Sequence, residues 1–190
     1  MMSREIQTKT TSGGGPTAEE QRTVFFEHVE VAWPGFLRRR AERLHALDGK
    51  GRVTEKVVEN SLEDLLTQVL DWSLGEVVYQ FGNADMTLVH LGKSVMVLEA
   101  KSPQGEFRRR GSLLAALRQA RRYANTHAAD MIGVCDGKTL YVEDAREGQA
   151  QARLLVSLDD KMPNESLRWL SRENIQRRRD DLAADFNPSI

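Results

Sequence analysis

Hydrophobic side chains recur every three or four residues along four stretches of the chain, a spacing that predicts amphipathic helices. The first stretch runs from Gln21 to Leu47, and Pro34-Gly35 within it should break or kink the helix. The second begins after Thr54, a suitable N-cap, and reaches Trp72. The other two are a helix from Ser112 to Ala128 and a charged C-terminal helix from Glu165 to Ala184.

Shorter apolar runs between these helices predict β-strands. They are Glu76 to Phe81, Asp85 to Val89, Ser94 to Ala100, Met131 to Cys135 and Thr139 to Val142, with a further edge strand within Gln149 to Leu158. Asp136-Gly137-Lys138 is typical of a hairpin turn. The order of a helix, three strands, a helix and two strands favours a mixed α/β domain.

The two ends of the chain are more polar than this central part. Residues 1–20 contain Gly13-Gly14-Gly15-Pro16 and too few apolar side chains to offset the entropy of ordering them, which predicts a flexible arm. We therefore divide the chain into this arm, a helical extension at 21–50, an α/β core at 51–160 and the charged C-terminal helix at 161–190.

Composition adds limits on class and location. The chain has 190 residues, of which 40 % are hydrophobic and 29 % are charged, as in globular proteins. Its uncharged runs are far shorter than the roughly 20 apolar residues of a membrane helix. Since no apolar segment lies near Met1, we expect no secretory signal. The single cysteine, Cys135, excludes an internal disulfide and a cysteine zinc site. We expect a cytoplasmic protein.

The hairpin formed by the second and third strands carries the candidate chemistry. We take its loop to be the three residues Leu91 to Lys93, which would set its register. The opposed pairs are then His90 with Ser94, Leu88 with Met96, and Asp85 with Glu99. Opposed residues share a face of the sheet, and Lys101 lies two residues beyond Glu99 on the same face. A slip of one residue would send Asp85 and Glu99 to opposite faces, so this prediction depends on the register.

Two carboxylates at the end of an apolar hairpin repel each other unless a cation or a proton lies between them. A hard divalent metal, Mg²⁺ or Mn²⁺, suits such oxygen ligands. An adjacent Lys101 ammonium can orient a water and offset charge that builds up on a phosphate. This set suits phosphodiester hydrolysis. The alternative is a buried salt bridge between Lys101 and Asp85 or Glu99 with no catalytic role.

Asp85 followed by Glu99-Ala100-Lys101 on the next strand resembles the signature of the PD-(D/E)XK nuclease superfamily. The proline of that name is replaced by Ala84. The next helix carries Gln119 and Tyr123, similar to the QxxxY motif found in part of the superfamily. With the strand pair that follows, the order resembles the N-terminal endonuclease domain of type I restriction enzyme R subunits, over about residues 54–145.

The resemblance implies a restriction-endonuclease-like mixed β-sheet flanked by helices, and a role for each motif residue. Asp85 and Glu99 would bind the metal, with the Ala100 carbonyl as a further oxygen ligand, and Lys101 would position the attacking water. Many members add a glutamate from the first core helix, which here is Glu55 or Glu59; either residue could equally be a solvated helix charge. Gln119 and Tyr123 would contact Lys101 or a nucleotide, and ordinary boundary residues are the alternative.

Basic residues are concentrated in two segments although the net charge is only −1. The segment 101–122 holds seven Lys or Arg and one acidic residue, and the segment 168–179 holds five and one. The arginines that we assign to DNA contacts are Arg108, Arg109, Arg110, Arg118, Arg121 and Arg122. Phosphate backbones favour such patches through counterion release, whereas a solvated surface is the alternative.

The sequence thus predicts a metal-dependent DNA endonuclease that uses Mg²⁺ or Mn²⁺, with no membrane partner. The alternative function is a catalytically inactive DNA-binding or assembly module on the same fold, and cleavage of RNA is a weaker possibility. Cutting both strands with one site per chain would favour a homodimer. Specificity would come from DNA structure or from a separate specificity or motor protein.

Overall fold

A computed structural model describes residues 18–45, 54–102, 110–145 and 153–175. Within these residues three α-helices surround one six-stranded sheet. The helices are α1 (Ala18–His45), α2 (Glu55–Gln68) and α3 (Arg110–His127). The strands are β1 (Val77–Tyr79), β2 (Met86–His90), β3 (Lys93–Ala100), β4 (Met131–Cys135), β5 (Thr139–Asp144) and β6 (Arg153–Ser157). The predicted mixed α/β architecture is therefore confirmed, including the edge strand before Leu158.

The sheet has its strands in sequence order, and all neighbours are antiparallel except β3 and β4. These two strands are parallel because α3 connects the end of β3 to the start of β4 as a crossover. Lys101, which follows β3, extends this ladder by donating its backbone N–H to the Cys135 carbonyl. The crossover places α3 against the sheet beside the Glu99-Ala100-Lys101 segment.

Alternation along β3 divides the core into two layers. Met96, Leu98 and Ala100 pack with α1 and α2 in the larger cluster, whereas Val97 packs with α3 in the smaller one. From α3 this cluster takes Leu117 and three small residues (Ala116, Ala120 and Ala124), and the small residues let this helix lie close to the sheet. Glu99 shares the face of Val97, so it points to the α3 side.

The β2–β3 hairpin has the predicted register beyond Leu88, but its turn is shorter than the sequence predicted. Leu88 pairs with Met96 and Met86 with Leu98, as expected, but His90 pairs with Lys93, which corrects the predicted three-residue loop. The turn consists of Leu91 and Gly92, both with positive φ (49° and 76°). Such turns match the twist of antiparallel strands. A bulge at Val95 then inserts one residue into β3 and restores the register.

Helix α1 continues through Pro34, which corrects the predicted break there. Pro34 is exposed, whereas Trp33 and Phe36 beside it are buried, with ring centroids 5.0 Å apart. Trp33 also donates its indole N–H to the Asp160 carbonyl at 3.0 Å. A proline inside a helix costs about 3 kcal/mol, and burying two large aromatic side chains contributes at least as much. Tertiary packing therefore outweighs the local preference.

The predicted C-terminal helix is also corrected where the structure describes it. Glu165–Leu170 form a 3₁₀ helix, and turns follow to Ile175. The Trp72 indole donates to the Leu170 carbonyl at 2.8 Å, and the Arg172 backbone N–H donates to the Leu70 carbonyl at 3.1 Å. These contacts dock the segment onto the end of α2 in place of a regular helix. Residues 176–190 lie outside the described residues.

The predicted N-terminal arm, 1–20, falls almost entirely outside the described residues, and its last three residues form the first turn of α1. In the part of the chain that the structure describes, none of the helices combines the length and the apolar character needed to cross a lipid bilayer.

Candidate metal centre

Asp85 lies at the end of the hairpin, directly before β2. Extending the Met86–Leu98 pair by one residue places Asp85 opposite Glu99. The Asp85 Oδ2 atom accepts a hydrogen bond from the Ala100 backbone N–H at 2.9 Å. This bond ties the carboxylate to the strand that carries Glu99, so the structure brings Asp85 and Glu99 together as the sequence predicted.

Glu99 is fully buried on β3. Its Oε2 atom lies 3.2 Å from the Nζ atom of Lys101, and its Oε1 atom is buried with no hydrogen-bond partner among the described residues. The pKa of Glu99 is raised to about 7, chiefly by burial and then by the Asp85 carboxylate, while the Lys101 ammonium acts in the opposite direction. The arrangement therefore holds a carboxylate where a further positive charge would be strongly favourable.

These residues fit a hard divalent cation. The unpartnered Oε1 of Glu99 is an oxygen ligand already removed from water, and Asp85 adds a second carboxylate beside it. Within the described ranges, no group of three His, Cys, Asp or Glu side chains is placed to hold a metal. Additional ligands would have to be backbone oxygens such as that of Ala100, water, or oxygens of a bound phosphate.

Lys101 reaches the same centre from the end of β3. Its side chain is 15 % exposed, and the only ion pair that the described residues give it is with Glu99. A lysine held at this point presents its ammonium both to the buried carboxylate and to the solvent at the end of the sheet. It is therefore positioned to meet a water molecule or a phosphate oxygen that enters from that side.

The helix carboxylates Glu55 and Glu59 both lie in the first half of α2. Glu55 is exposed, and Glu59 forms an ion pair with Lys56 at 2.6 Å. The Lys56 ammonium lies 4.6 Å from the centre of the Tyr79 ring, so this group is directed towards β1. Since α2 packs on the face of the sheet opposite Glu99, the structure brings neither glutamate into a hydrogen bond or ion pair with Asp85, Glu99 or Lys101. Their metal role stays a prediction.

Gln119 and Tyr123 lie one turn apart on α3, and both are partly buried. The Gln119 side-chain amide donates to the Tyr123 hydroxyl at 3.5 Å. The Tyr123 ring packs against the small cluster beneath α3. The structure thus places the pair, partly buried, on the helix that covers the Glu99 face. Their contact with Lys101 or a nucleotide stays a prediction.

The arginines assigned to DNA fall into different environments. Arg118 and Arg122 are exposed on α3, whereas Arg121 forms an ion pair with buried Glu143. Arg108 and Arg109 lie outside the described residues, and Arg110 begins α3. Of the six assigned arginines, Arg118 and Arg122 are therefore the two that the described part of the chain shows as exposed. In the second basic segment, Arg172 bonds to Glu76, and Arg168 stacks on Trp169.

The network around Glu143 was not predicted from the sequence. Glu143 lies on β5, is 1 % exposed, and accepts hydrogen bonds from Arg121 and from the Tyr141 hydroxyl. The Tyr141-Val142-Glu143 alternation in a buried strand was the available signal, because a carboxylate on the face of Tyr141 must find a partner. The partner comes from a different element, 22 residues away in sequence, which the pattern alone does not indicate.

Comparison with known proteins gives no matching family model, no matching curated protein and no matching solved structure. The candidate function is therefore inferred from the geometry of this chain and from its motif resemblance.

Proposed function

We propose that this protein is a metal-dependent DNA endonuclease with a restriction-endonuclease-like fold of the PD-(D/E)XK kind. One observation carries the proposal: buried Glu99 has one oxygen paired with Lys101 and the other without a partner, directly beside Asp85. The three side chains of the motif meet at one sheet end. The helix that follows carries Gln119 and Tyr123 over the same face.

The motif residues would have different roles in the reaction. Asp85 and Glu99 would bind Mg²⁺ or Mn²⁺, and the Ala100–Asp85 hydrogen bond keeps the first carboxylate oriented. The metal would supply Lewis-acid stabilisation of the phosphate charge and lower the pKa of a bound water. Lys101 would orient the attacking water and stabilise the negative charge that develops on the phosphate oxygens.

DNA is the substrate that the surrounding charge favours. Arg118 and Arg122 lie exposed on α3, the helix that covers the face of Glu99. Guanidinium groups at these positions can pair with backbone phosphates and release counterions, a contribution that does not depend on base sequence. A second subunit or a separate specificity or motor protein would be needed for cutting both strands at defined sites.

The second candidate function is a non-cleaving DNA-binding or assembly module. The Glu99–Lys101 ion pair, together with the lack of a third acidic ligand among the described residues, favours it. A stable pair of this kind can serve the structure alone. The two functions can be separated, because only a nuclease needs the Asp85 and Glu99 carboxylates to cleave the DNA that it has bound.

The test measures cleavage of supercoiled and linear DNA in Mg²⁺ or Mn²⁺, with EDTA as the metal-free control. Glu99→Gln keeps the shape of the side chain and removes its charge, whereas Glu27→Gln makes the same change at an exposed site on α1. The proposal predicts metal-dependent cutting that Glu99→Gln lowers by about 10²-fold or more and Glu27→Gln leaves unchanged. DNA binding without cutting by the wild-type protein would instead support the module.

A further inference from the structure

The connection between β1 and β2, which leads directly into Asp85, exposes an aromatic side chain. Phe81 is 43 % exposed and lies four residues before Asp85. The Gln80 N–H donates to the Asp85 carbonyl at 3.1 Å, and the Ala84 N–H donates to the Phe81 carbonyl at 3.4 Å. These bonds close the loop, so Phe81 is held near Asp85.

The β1–β2 loop adopts a conformation that requires glycine at one position. Gln80 and Gly82 both have positive φ, 50° and 67°, and Gly82 sits against His127. A Cβ atom at Gly82 would lie 2.8 Å from the His127 Nε2 atom, closer than real Cβ contacts allow. Glycine at this position therefore permits His127, the last residue of α3, to approach the loop.

His127 supports the exposed ring from behind. The ring centroids of Phe81 and His127 are 4.6 Å apart with an interplanar angle of 44°. The His127 Nε2 atom is buried and has no hydrogen-bond partner among the described residues. The imidazole therefore packs behind the phenyl ring, and the rest of Phe81 faces solvent.

The surroundings identify what such a platform fits. Phe81 packs against the C-terminal end of α3, the helix that carries the exposed Arg118 and Arg122. Exposed aromatic rings are the groups on which proteins stack the bases of single-stranded nucleic acid, since every base offers a π-face. Bases within a duplex are already stacked, so an aromatic platform gains most from a base that has left the helix.

We infer that the Phe81 ring, backed by His127, stacks on an unpaired nucleobase close to the candidate metal site at Asp85 and Glu99. The inference rests on the proposed function and narrows its substrate to DNA that offers an unstacked nucleotide, such as a single strand, a flap or a branch. It assigns to the β1–β2 loop a binding role that the motif residues do not supply.

The test measures binding in EDTA by fluorescence anisotropy, so that cleavage does not interfere. The probes are a labelled single-stranded oligonucleotide and a strand of equal length in which abasic residues replace the bases. We expect Phe81→Ala to weaken binding of the normal strand by about 5- to 100-fold. The abasic strand should bind wild type and Phe81→Ala equally, because it retains only the phosphates. Leu155→Ala, an exposed apolar position on edge strand β6, is the matched control.

Phe81→Trp provides a second measurement that does not depend on loss of binding. The three native tryptophans are buried, so the exposed indole introduced by this substitution would dominate changes in fluorescence. Stacking predicts wild-type affinity for this variant and quenching by the normal strand, but not by the abasic strand. Circular dichroism melting checks that all variants are folded.

The inference is overturned if Phe81→Ala and wild type bind the normal strand equally. It is also overturned if replacing the normal strand by the abasic strand weakens binding by the same factor in both proteins. Metal-dependent cleavage that persists alongside either result leaves the nuclease proposal standing and removes the platform alone. A wild-type protein that binds neither strand and cuts no DNA contradicts both.

Discussion

The Nζ atom of Lys101 lies 3.2 Å from the Oε2 atom of Glu99, and the other oxygen of this buried carboxylate has no hydrogen-bond partner among the described residues. A structural salt bridge gains most when every buried polar atom is satisfied. Here one oxygen remains available beside Asp85. The pair is therefore better suited to accept a further cation than to serve as a finished structural contact.

Metal binding should be visible as a gain in stability. Added Mg²⁺ or Mn²⁺ is expected to raise the thermal unfolding midpoint, since a ligand present at 100 times its Kd stabilises the folded state by about 2.7 kcal/mol. Asp85→Asn and Glu99→Gln should each remove most of this gain, whereas Glu27→Gln should retain it. Differential scanning calorimetry at a series of metal concentrations measures the effect, and equal shifts in all four proteins would exclude this site.

Removal of Lys101 should destabilise the protein through Glu99. Lys101→Ala leaves the buried carboxylate without its partner, and breaking such a pair costs about 3 kcal/mol or more. The same substitution in a Glu99→Gln background should cost much less, because no charge is then left uncompensated. Urea unfolding of the two single variants and the double variant in EDTA gives the coupling energy. Strictly additive effects would show that the ion pair is unimportant.

Three of the α3 arginines, Arg118, Arg121 and Arg122, should separate into two classes. Arg118→Ala with Arg122→Ala should weaken DNA binding and lower the slope of log K against log salt by about 2, one for each phosphate contact. Arg121→Ala should instead reduce the free energy of unfolding, because Glu143 is buried. Binding measured over a range of salt concentrations, with parallel urea unfolding, tests the division. A stability loss in the double variant would contradict it.

Glu76 should give the folded state an acid-sensitive contribution. Burial acts to raise its pKa, but hydrogen bonds from Arg172, Ser73 and His90 prevail and lower the pKa to about 2. The stabilisation is complete above the ordinary glutamate pKa of 4.5 and is lost as the pH falls from about 5 towards 2. Since the Arg172 and Ser73 partners are exposed and screened by solvent, roughly 1 kcal/mol is expected.

Glu76→Gln tests that expectation by comparison with wild type. The difference in unfolding free energy between the two proteins should be largest near pH 7 and should shrink as the pH falls towards 2. Chemical denaturation at several pH values measures it. A difference that stays constant from pH 7 to pH 3 would be inconsistent with the ionised carboxylate as its source.

The sequence predicted that Asp85 and Glu99 converge, because the alternation of side chains along the two strands is enough to predict it. Residues on one face of a hairpin alternate, so a correct register brings both carboxylates to the same face. The predicted loop was one residue too long, and the bulge at Val95 restored the predicted register by inserting one residue into β3. Without that bulge the two-residue turn would have opposed Asp85 with Leu98. Neither the turn nor the bulge leaves a clear signal in sequence, since Leu91 is an unusual residue for positive φ.

The remaining differences arise from contacts between distant elements. Pro34 breaks helices locally, yet buried Trp33 and Phe36 hold α1 together. The Arg121–Glu143 pair and the Phe81–His127 contact join residues that are 22 and 46 positions apart. Periodicity identifies which face a residue occupies, but not which side chain meets it from another element. Such partners become visible only in three dimensions.

The most direct test of the nuclease proposal compares wild type with Lys101→Ala and Lys93→Ala in Mg²⁺-dependent DNA cleavage. The two lysines lie at opposite ends of β3, and Lys93 is exposed at the hairpin turn. The proposal predicts cutting by wild type and by Lys93→Ala, and a loss of about 10²-fold or more in folded Lys101→Ala protein. Equal cutting by all three proteins, or no cutting by wild type on duplex, single-stranded or branched DNA, would contradict it.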